Sequence, residues 1–578
     1  MRTVELTADF VVIGGGLAGM SAAIAAAREG VKTILVHDRS VPGGNASSEI
    51  RMWICGAHGE NRRETGIIEE IQLENIATNP ERNFTLWDTV LYTVLRREKE
   101  NLTVLYDTVC LEAEMAGDAI RSIKGYCSPA QTWYKINGTL FCDCSGDSVL
   151  AVLAGAERRY GREGRDEFNE SIAPEKQDRK TMGMSCLIQA QETDAPHDFI
   201  PPEWANKYTD GSMFGLRSPH VEKMANFWWI ELGGEQDALH DTGELRHELL
   251  KIAFGTWDYL KNHPDNRARY RNWALTWIGF LPGKRESFRC VGDHILTQHD
   301  VAGGGNFADT IAYGGWTMDD HYPGGFAAPD VEPTTFHPAP SPYGIPYRCI
   351  YSVNIRNLFF AGRNISVTHT AMSSTRVMAT CSLLGQAAGT AAALAHRYNI
   401  TPREVGRKHL TELQNMLMRD DCFLPGFRYR VPEVTSRAEL TASSGDPAGL
   451  RQGMNRAFDG TDESWLAGAG DFVQYRWEKP TAIQTVRLVF DSDLDRPEKN
   501  ITALRFPDTP DLQIPETLVR QFRVEIQMPD GTWQTLGIYD NHQRLRKIAV
   551  RAEVLAVKCT VLQTGSGKPE RIFAFDVM

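Results

Sequence analysis

DFVVIGGGLAG, Asp9 to Gly19, decides how the N-terminal part of this chain is read. The apolar run Phe10–Ile13 ends on Gly14, Gly16 and Gly19 and passes into the alanine-rich MSAAIAAAREG. This spacing predicts a buried strand, a tight turn and a helix, a geometry in which backbone N–H groups and the helix N-terminus face a pyrophosphate. Gly14 permits the turn, Gly16 lets phosphates approach, and Gly19 lets the helix pack on the strand. Leu17 and Ala18 share that first helical turn and are expected to bind the same group. Gly30 closes the helix ahead of a second strand, Lys32 to Val36. The unit is therefore expected to hold a dinucleotide.

In such folds the second strand ends in an acidic side chain that hydrogen-bonds the adenosine ribose. Here His37 stands in that place and Asp38 follows, so Asp38 is the candidate, with Arg39 beside it. The next loop, GGNASS, offers Gly44, Asn45, Ala46 and Ser47 as small and polar residues to lie along a phosphate and ribityl chain. A second strand–turn–helix, FCDCSGDSVLAVLAGAE, places Gly146 and Asp147 in its turn. It looks like the second flavin fingerprint of two-dinucleotide-fold flavoproteins, often written Ala-Thr-Gly-Asp. Far along the chain, NLFFAGR supplies Gly362 and Arg363, and SSTRVMATCSLLGQAAGTAAALA opens with Ser374, Arg376 and Val377. This strand–helix pair is expected to close a flavin site, its helix N-terminus towards the pyrimidine ring. Four blocks in this order specify FAD as a resident cofactor.

At 578 residues two or three domains are expected. The expected domains are a discontinuous FAD-binding domain (1–165 and 345–430), an inserted α+β substrate domain (166–344) and an all-β sandwich (436–578). Within the first, residues 65–110 read as two helices and one strand of a crossover. The net charge of −12 disfavours nucleic acid as a partner. No signal peptide is seen, and no apolar run is expected to reach the ~20 residues of a membrane span. The eleven cysteines suggest reduced thiols and a cytoplasmic location. The closest pair, Cys142 and Cys144, is expected to point apart, and no metal is expected.

The insert is rich in Trp, Tyr, His, Pro and Gly, as in ANFWWIELGGE and TIAYGGWTMDDHYPGGFAAPD. Aromatics in loops beside Asp and His suit a sugar pocket, since rings stack on C–H faces and polar groups bind hydroxyls. From Ser436 the chain alternates as short strands with polar turns. That region resembles a discoidin (coagulation factor type C) jelly roll on its Asp-Gly…Trp opening and strand order. It departs from that pattern in the long stretch Leu494–Pro515, which is expected to reach towards the flavin domain.

Residues 9–420 resemble a bacterial FAD-dependent oxidoreductase family of glutathione-reductase-like flavin fold, a group often labelled with glycan degradation and sometimes as xanthan lyase. GGGLAG, GGNASSEIRMWICGAHG, CSGDSVLAVLAGAERRYGREGRDEF, LPGKRESFRCVGDHILTQHD, AYGGWTMDDH, YGIPYR and GRNISVTHTAMSSTRVMATC carry the likeness. A flavin oxidises an alcohol by taking hydride at N5, and the proton needs a base, for which imidazole suits neutral pH. His369, between the closing strand and helix, is the first choice as base or substrate ligand. His58 is the second, and a candidate for covalent flavin attachment. Arg285 is a candidate to hold a carboxylate or the reduced flavin's charge, and His321 is a further catalytic candidate. Asp319, Asp320, Tyr347 and Arg348 are the substrate-binding candidates.

With no second full GxGxxG unit and no CxxC motif, electrons are expected to enter from the substrate and leave to oxygen or another acceptor. The reaction expected is oxidation of a sugar or glycoside hydroxyl to a ketone. The alternatives are redox-assisted glycoside cleavage with no net acceptor, and a glycan-binding protein with structural FAD. Oligomeric state is left open.

Overall fold

Strand β1 (Arg2–Ile13) runs straight into helix α1 (Leu17–Arg28), and β2 (Thr33–Val36) returns parallel to β1 with Phe10 opposite Thr33 and Ile13 opposite Val36. The computed structural model describes residues 2–219, 227–496, 504–505 and 510–578. Ala225 and Asn226 of the aromatic insert lie outside them, as do residues 497–503 and 506–509 of the Leu494–Pro515 stretch. Two compact units divide the chain. The first holds residues 1–57, 81–413 and 499–511, and the second holds 58–80, 414–498 and 512–578.

The first helix of the expected crossover, α2 (Ile67–Thr78), belongs to the second unit, and only α3 (Phe84–Arg97) stays in the first. The single strand expected after it is two, β3 (Leu102–Leu105) and β4 (Thr108–Ala116). Asp107 between them adopts a φ of 52°, a left-handed conformation that Asp tolerates and a strand does not. β5 (Ala119–Cys127) and β6 (Thr132–Asp143) complete an antiparallel meander with β4. β6 then pairs parallel to β1, giving the order β3-β2-β1-β6-β5-β4. Further along lie β7 (Met318–His321) and β8 (Leu358–Phe360), the latter adding parallel to the end of β6. Helices α4 (His369–Thr375) and α5 (Met378–Tyr398) follow.

Glycines bring α5 onto α1. A Cβ on Gly385 would fall 2.0 Å from the Ala18 carbonyl oxygen, and one on Gly389 2.1 Å from that of Ala22. The absence of a spanning-length run needs correcting, because α5 is long and apolar enough to cross a membrane. Yet 94% of its apolar window is buried inside the protein, as in a core helix. Cys142 and Cys144 also differ from expectation. Residues two apart share a strand face, and their sulfurs lie 3.4 Å apart.

Most insert aromatics form a core of their own. Phe214, Phe227, Trp229, Trp257 and Tyr270 are each 1% exposed or less and pack together. A pocket lined by all of them is thereby excluded. From the Leu494–Pro515 stretch, Leu504–Arg505 pairs in parallel with the strand Ile188–Glu192 and belongs to the first unit.

The second unit is an antiparallel sheet domain. Its strands are β9 (Glu439–Ala442), β10 (Trp465–Ala467), β11 (Phe472–Phe490), β12 (Val519–Gln527), β13 (Trp533–Asp540), β14 (Leu545–Thr564) and β15 (Glu570–Val577). They order as β10-β15-β11-β14-β12-β13, with β9 on β11. α2 is buried nearly all round, its apolar Ile67, Ile68, Ile71, Leu73 and Ile76 and its polar Glu69, Gln72, Glu74 and Asn75 alike. Its Leu73 and Ile76 join the core made by Trp465, Tyr475, Phe522 and Phe575. Its Glu69 is held by Arg496 at 2.7 Å, both side chains almost fully buried. Burial pushes the Glu69 carboxyl up, and Arg496 more than reverses it, so the group stays ionised. Leu73→Ala is expected to destabilise this unit by about 2–5 kcal/mol, read by urea unfolding, as for other buried leucines.

Candidate active site

The glycine turn is locked by its neighbours. Gly14 has a φ of 102° and donates its N–H to the Val36 carbonyl at 2.8 Å. A Cβ on Gly19 would lie 1.8 Å from the Gly14 oxygen, so helix and turn touch backbone to backbone. Gly15 N–H donates to Nδ1 of His37 at 3.0 Å, and His37 Nε2 lies 2.9 Å from the Val41 carbonyl, to which it donates. Burial pushes the His37 pKa down, which matches this neutral tautomer. His37 thus braces the turn from the position where a carboxylate was expected, a role that the sequence reading passed over. Asp38 lies beside it with its side chain 58% exposed.

Above the turn, Gly16 caps α1 without any side-chain partner, so the N–H groups of the first helical turn keep their donors for a ligand. The space at Gly16 is open, with Gly44 Cα the nearest atom at 3.9 Å from a Cβ placed there. Gly43 N–H binds the Gly15 carbonyl at 2.7 Å and ties the second loop to the first. In that loop Ser47 uses its hydroxyl on the Gly44 carbonyl, Trp87 Nε1 donates to Ala46 O, and Asn45 donates to the Lys284 carbonyl.

Asp147 is gripped by Arg363 at 2.7 Å, Ser287 at 2.9 Å and Lys284 at 3.1 Å. Burial raises its carboxyl, and Arg363 and Lys284 outweigh that, leaving it ionised. Gly146, with φ 76°, makes room for the Arg363 guanidinium, which would lie 2.6 Å from a Cβ there. Arg363 Nε and Arg39 Nη1 are buried and have no hydrogen-bond partner, the latter with Glu49 at ion-pair distance, 3.9 Å. An uncapped helix N-terminus, an open glycine and two unfinished guanidinium groups fit a pyrophosphate-bearing cofactor. Lys284 escaped notice in the sequence because only the fold brings 284 to 147.

The insert side carries a buried ionic network. β7 presents Asp319, Asp320 and His321 in succession, and strand alternation sends Asp320 one way and its neighbours the other. Asp320 meets Nε2 of His369 at 3.1 Å, while Nδ1 of His369 lies 2.8 Å from Glu286. Burial pulls this imidazole down, but Glu286 and Asp320 together raise its pKa to about 10. At neutral pH His369 is therefore a charged imidazolium donating from both nitrogens, which corrects the expectation of titration near neutrality.

Glu286 is fully buried, pairs with Arg289 and accepts the Met182 N–H. Arg289 in turn holds Glu163 at 2.7 Å, and Glu163 accepts the His369 N–H at 2.9 Å. Glu163 escaped notice in the sequence for want of any local signature.

On the other side, His321 lies 2.6 Å from Glu231 and 3.4 Å from Asp319, and Arg376 contacts Asp319 at 3.2 Å. Arg285 joins through Glu231 at 3.5 Å, and its other donors go to Ser185 and the Trp228 carbonyl. Its donors thus hold this network. Tyr347 is fully buried with its hydroxyl on the Pro402 carbonyl, and Arg348 pairs with Asp309. Among the described residues neither has a contact with the His369 network. His58 is exposed and falls in the second unit. Ser374 spends its hydroxyl on the Trp316 carbonyl and accepts from Tyr343, and Val377 is buried at the uncapped start of α5.

The family model of the FAD dependent oxidoreductases matches residues 9–417, which spans both the cradle and this network. The chain belongs to that family. It is accordingly an FAD-dependent oxidoreductase, with FAD as its cofactor.

Among curated proteins no relative matches. Among solved structures, the chain is similar to a geranylgeranyl bacteriochlorophyll reductase-like protein from Thermoplasma acidophilum at 13% identity and a TM-score of 0.33, covering 72% of this chain and 86% of that one. It is also similar to the L-proline dehydrogenase from P. horikoshii, at 16% identity and a TM-score of 0.17. That match covers 28% of this chain and about a quarter, 26%, of the dehydrogenase. A third likeness is to the family 32 carbohydrate-binding module of Streptococcus pneumoniae EndoD, at 13% identity and a TM-score of 0.19, over 26% of this chain and 97% of the module.

Proposed function

We propose that this FAD-dependent oxidoreductase oxidises a hydroxyl of a sugar or glycoside to a ketone. The observation that carries the reading is His369 set between Glu286 and Asp320 beside the closing helix, with Asp320 the more open of the three at 21% side-chain exposure. Bound FAD supplies the two-electron acceptor, which takes hydride at N5.

The protein's task is the proton. Neutral His369, formed as the pH rises, accepts the hydroxyl proton at Nε2 and becomes the imidazolium that Glu286 and Asp320 stabilise. Glu163 and Arg289 keep Glu286 and the α4 start in register, so the imidazole cannot turn away. The finer fold assignments, a glutathione-reductase-like flavin domain and a discoidin-like jelly roll, belong to this proposal and are supported by the order of the sequence motifs.

Anaerobic mixing of the FAD-loaded protein with a panel of methyl glycosides is expected to bleach the flavin with at least one of them. No bleaching with any sugar sinks the reading.

A further inference from the structure

Four polar atoms near the end of α4 lack a hydrogen-bond partner although they are shielded from solvent. They are Thr317 Oγ1, Ser341 Oγ, Thr375 Oγ1 and Arg376 Nε. Thr375 is fully buried.

The three segments that carry them interlock. Ser374 donates to the Trp316 carbonyl and accepts from Tyr343, Arg376 donates to the Asp319 carbonyl, and a Cβ on Gly315 would meet Ser341 Oγ at 2.3 Å. Folded proteins leave few buried polar groups unpaired, because each one so left costs the hydration it has lost. Four at one place, within reach of the His369 and His321 network through Asp319, mark a ligand site.

The chemistry narrows the ligand. Three hydroxyls both donate and accept, as vicinal hydroxyls do, and one guanidinium N–H donates. Arg376 already faces Asp319 at 3.2 Å, which leaves no surplus positive charge for an anion. We propose that Thr317, Ser341, Thr375 and Arg376 form the subsite that binds hydroxyl groups of a neutral pyranoside. This rests on the sugar-oxidation reading above and adds to it the class of sugar and the residues that select it.

The test uses the full-length FAD-loaded enzyme, a Thr375→Val variant and a Thr317→Val/Ser341→Ala double variant. Melting temperature without sugar, FAD affinity by fluorescence titration, and KM and kcat with the methyl glycoside that bleaches the flavin are measured. Removing an unpaired hydroxyl leaves the melting temperature unchanged or raises it. FAD affinity stays within about twofold, and KM rises about tenfold per lost hydroxyl with kcat changed less, the pattern of a lost binding contact.

A clear fall in melting temperature means that the hydroxyls are structural, and weakened FAD binding means that they face the cofactor. Either result overturns the subsite, as does an unchanged KM. A wild type that responds to no glycoside overturns the oxidation reading itself, whereas a responsive wild type with unaltered variants overturns the subsite alone.

Discussion

Replacing His369 by Gln is expected to lower kcat/KM for glycoside oxidation roughly 10²–10⁴-fold, the usual loss when a positioned proton-transfer group is removed, with FAD still bound. The pH profile makes the role specific. The imidazole must be neutral to accept a proton, and its pKa stands at about 10. For the wild type, kcat/KM is therefore expected to climb about tenfold per pH unit from neutrality towards that value. Asp320→Asn removes one of the two carboxylates that raise the imidazole, so the climb moves to lower pH while Glu286 remains in place. A flat wild-type profile over this range rules out His369 as the acceptor.

Stability runs the other way. The folded pKa lies above the ordinary 6.5, so the ion-paired imidazolium contributes in full below pH 6.5 and its contribution is lost as the pH rises through about 10. Thermal unfolding followed over the same pH series is expected to show stability falling where activity rises.

Gly19→Ala is expected to yield protein without flavin. The new Cβ would sit 1.8 Å from the Gly14 oxygen and 3.1 Å from Cys144 Cβ, so α1 cannot keep its place on the turn and the uncapped N–H groups leave their positions. Absorbance of the purified protein in the visible flavin bands reads the loss directly. Gly243→Ala serves as the control, since a Cβ there meets nothing within 4 Å, and it is expected to keep its FAD. Gly19→Ala purified with its full flavin content would show that the cradle lies elsewhere.

These two variants also mark what could be read from the chain before folding. Gly14, Gly16 and Gly19 announce themselves because a backbone requirement leaves a local, regularly spaced trace. The same is true of Gly146–Asp147 and Gly362–Arg363. Sequence could also single out His369, which lies where the chain turns into the closing helices. It could not give that histidine its charge, because Glu286 and Asp320 lie 83 and 49 residues away. Lys284 on Asp147 and Glu163 on the His369 N–H are hidden for the same reason.

Composition misled where function and packing use the same residue types. The insert's aromatics suggested a sugar pocket, yet Trp229 and Trp257 are core. Periodicity misled at Asp107, where one residue's backbone broke an apparently continuous strand, and at α2, whose destination no local pattern records.

That destination has a consequence for how the protein is made. α2 leaves the ribosome some 500 residues before Val577, the last residue of β15, and its apolar sides belong in a core completed only by that strand. At the ordinary pace of translation the helix waits roughly 25–100 s without its partners. During that interval Ile71, Leu73 and Ile76 form a sticky segment, and nascent chains stalled before the final strands are the ones a chaperone would be expected to hold. The order of synthesis, more than the finished fold, sets where this chain is most exposed to aggregation.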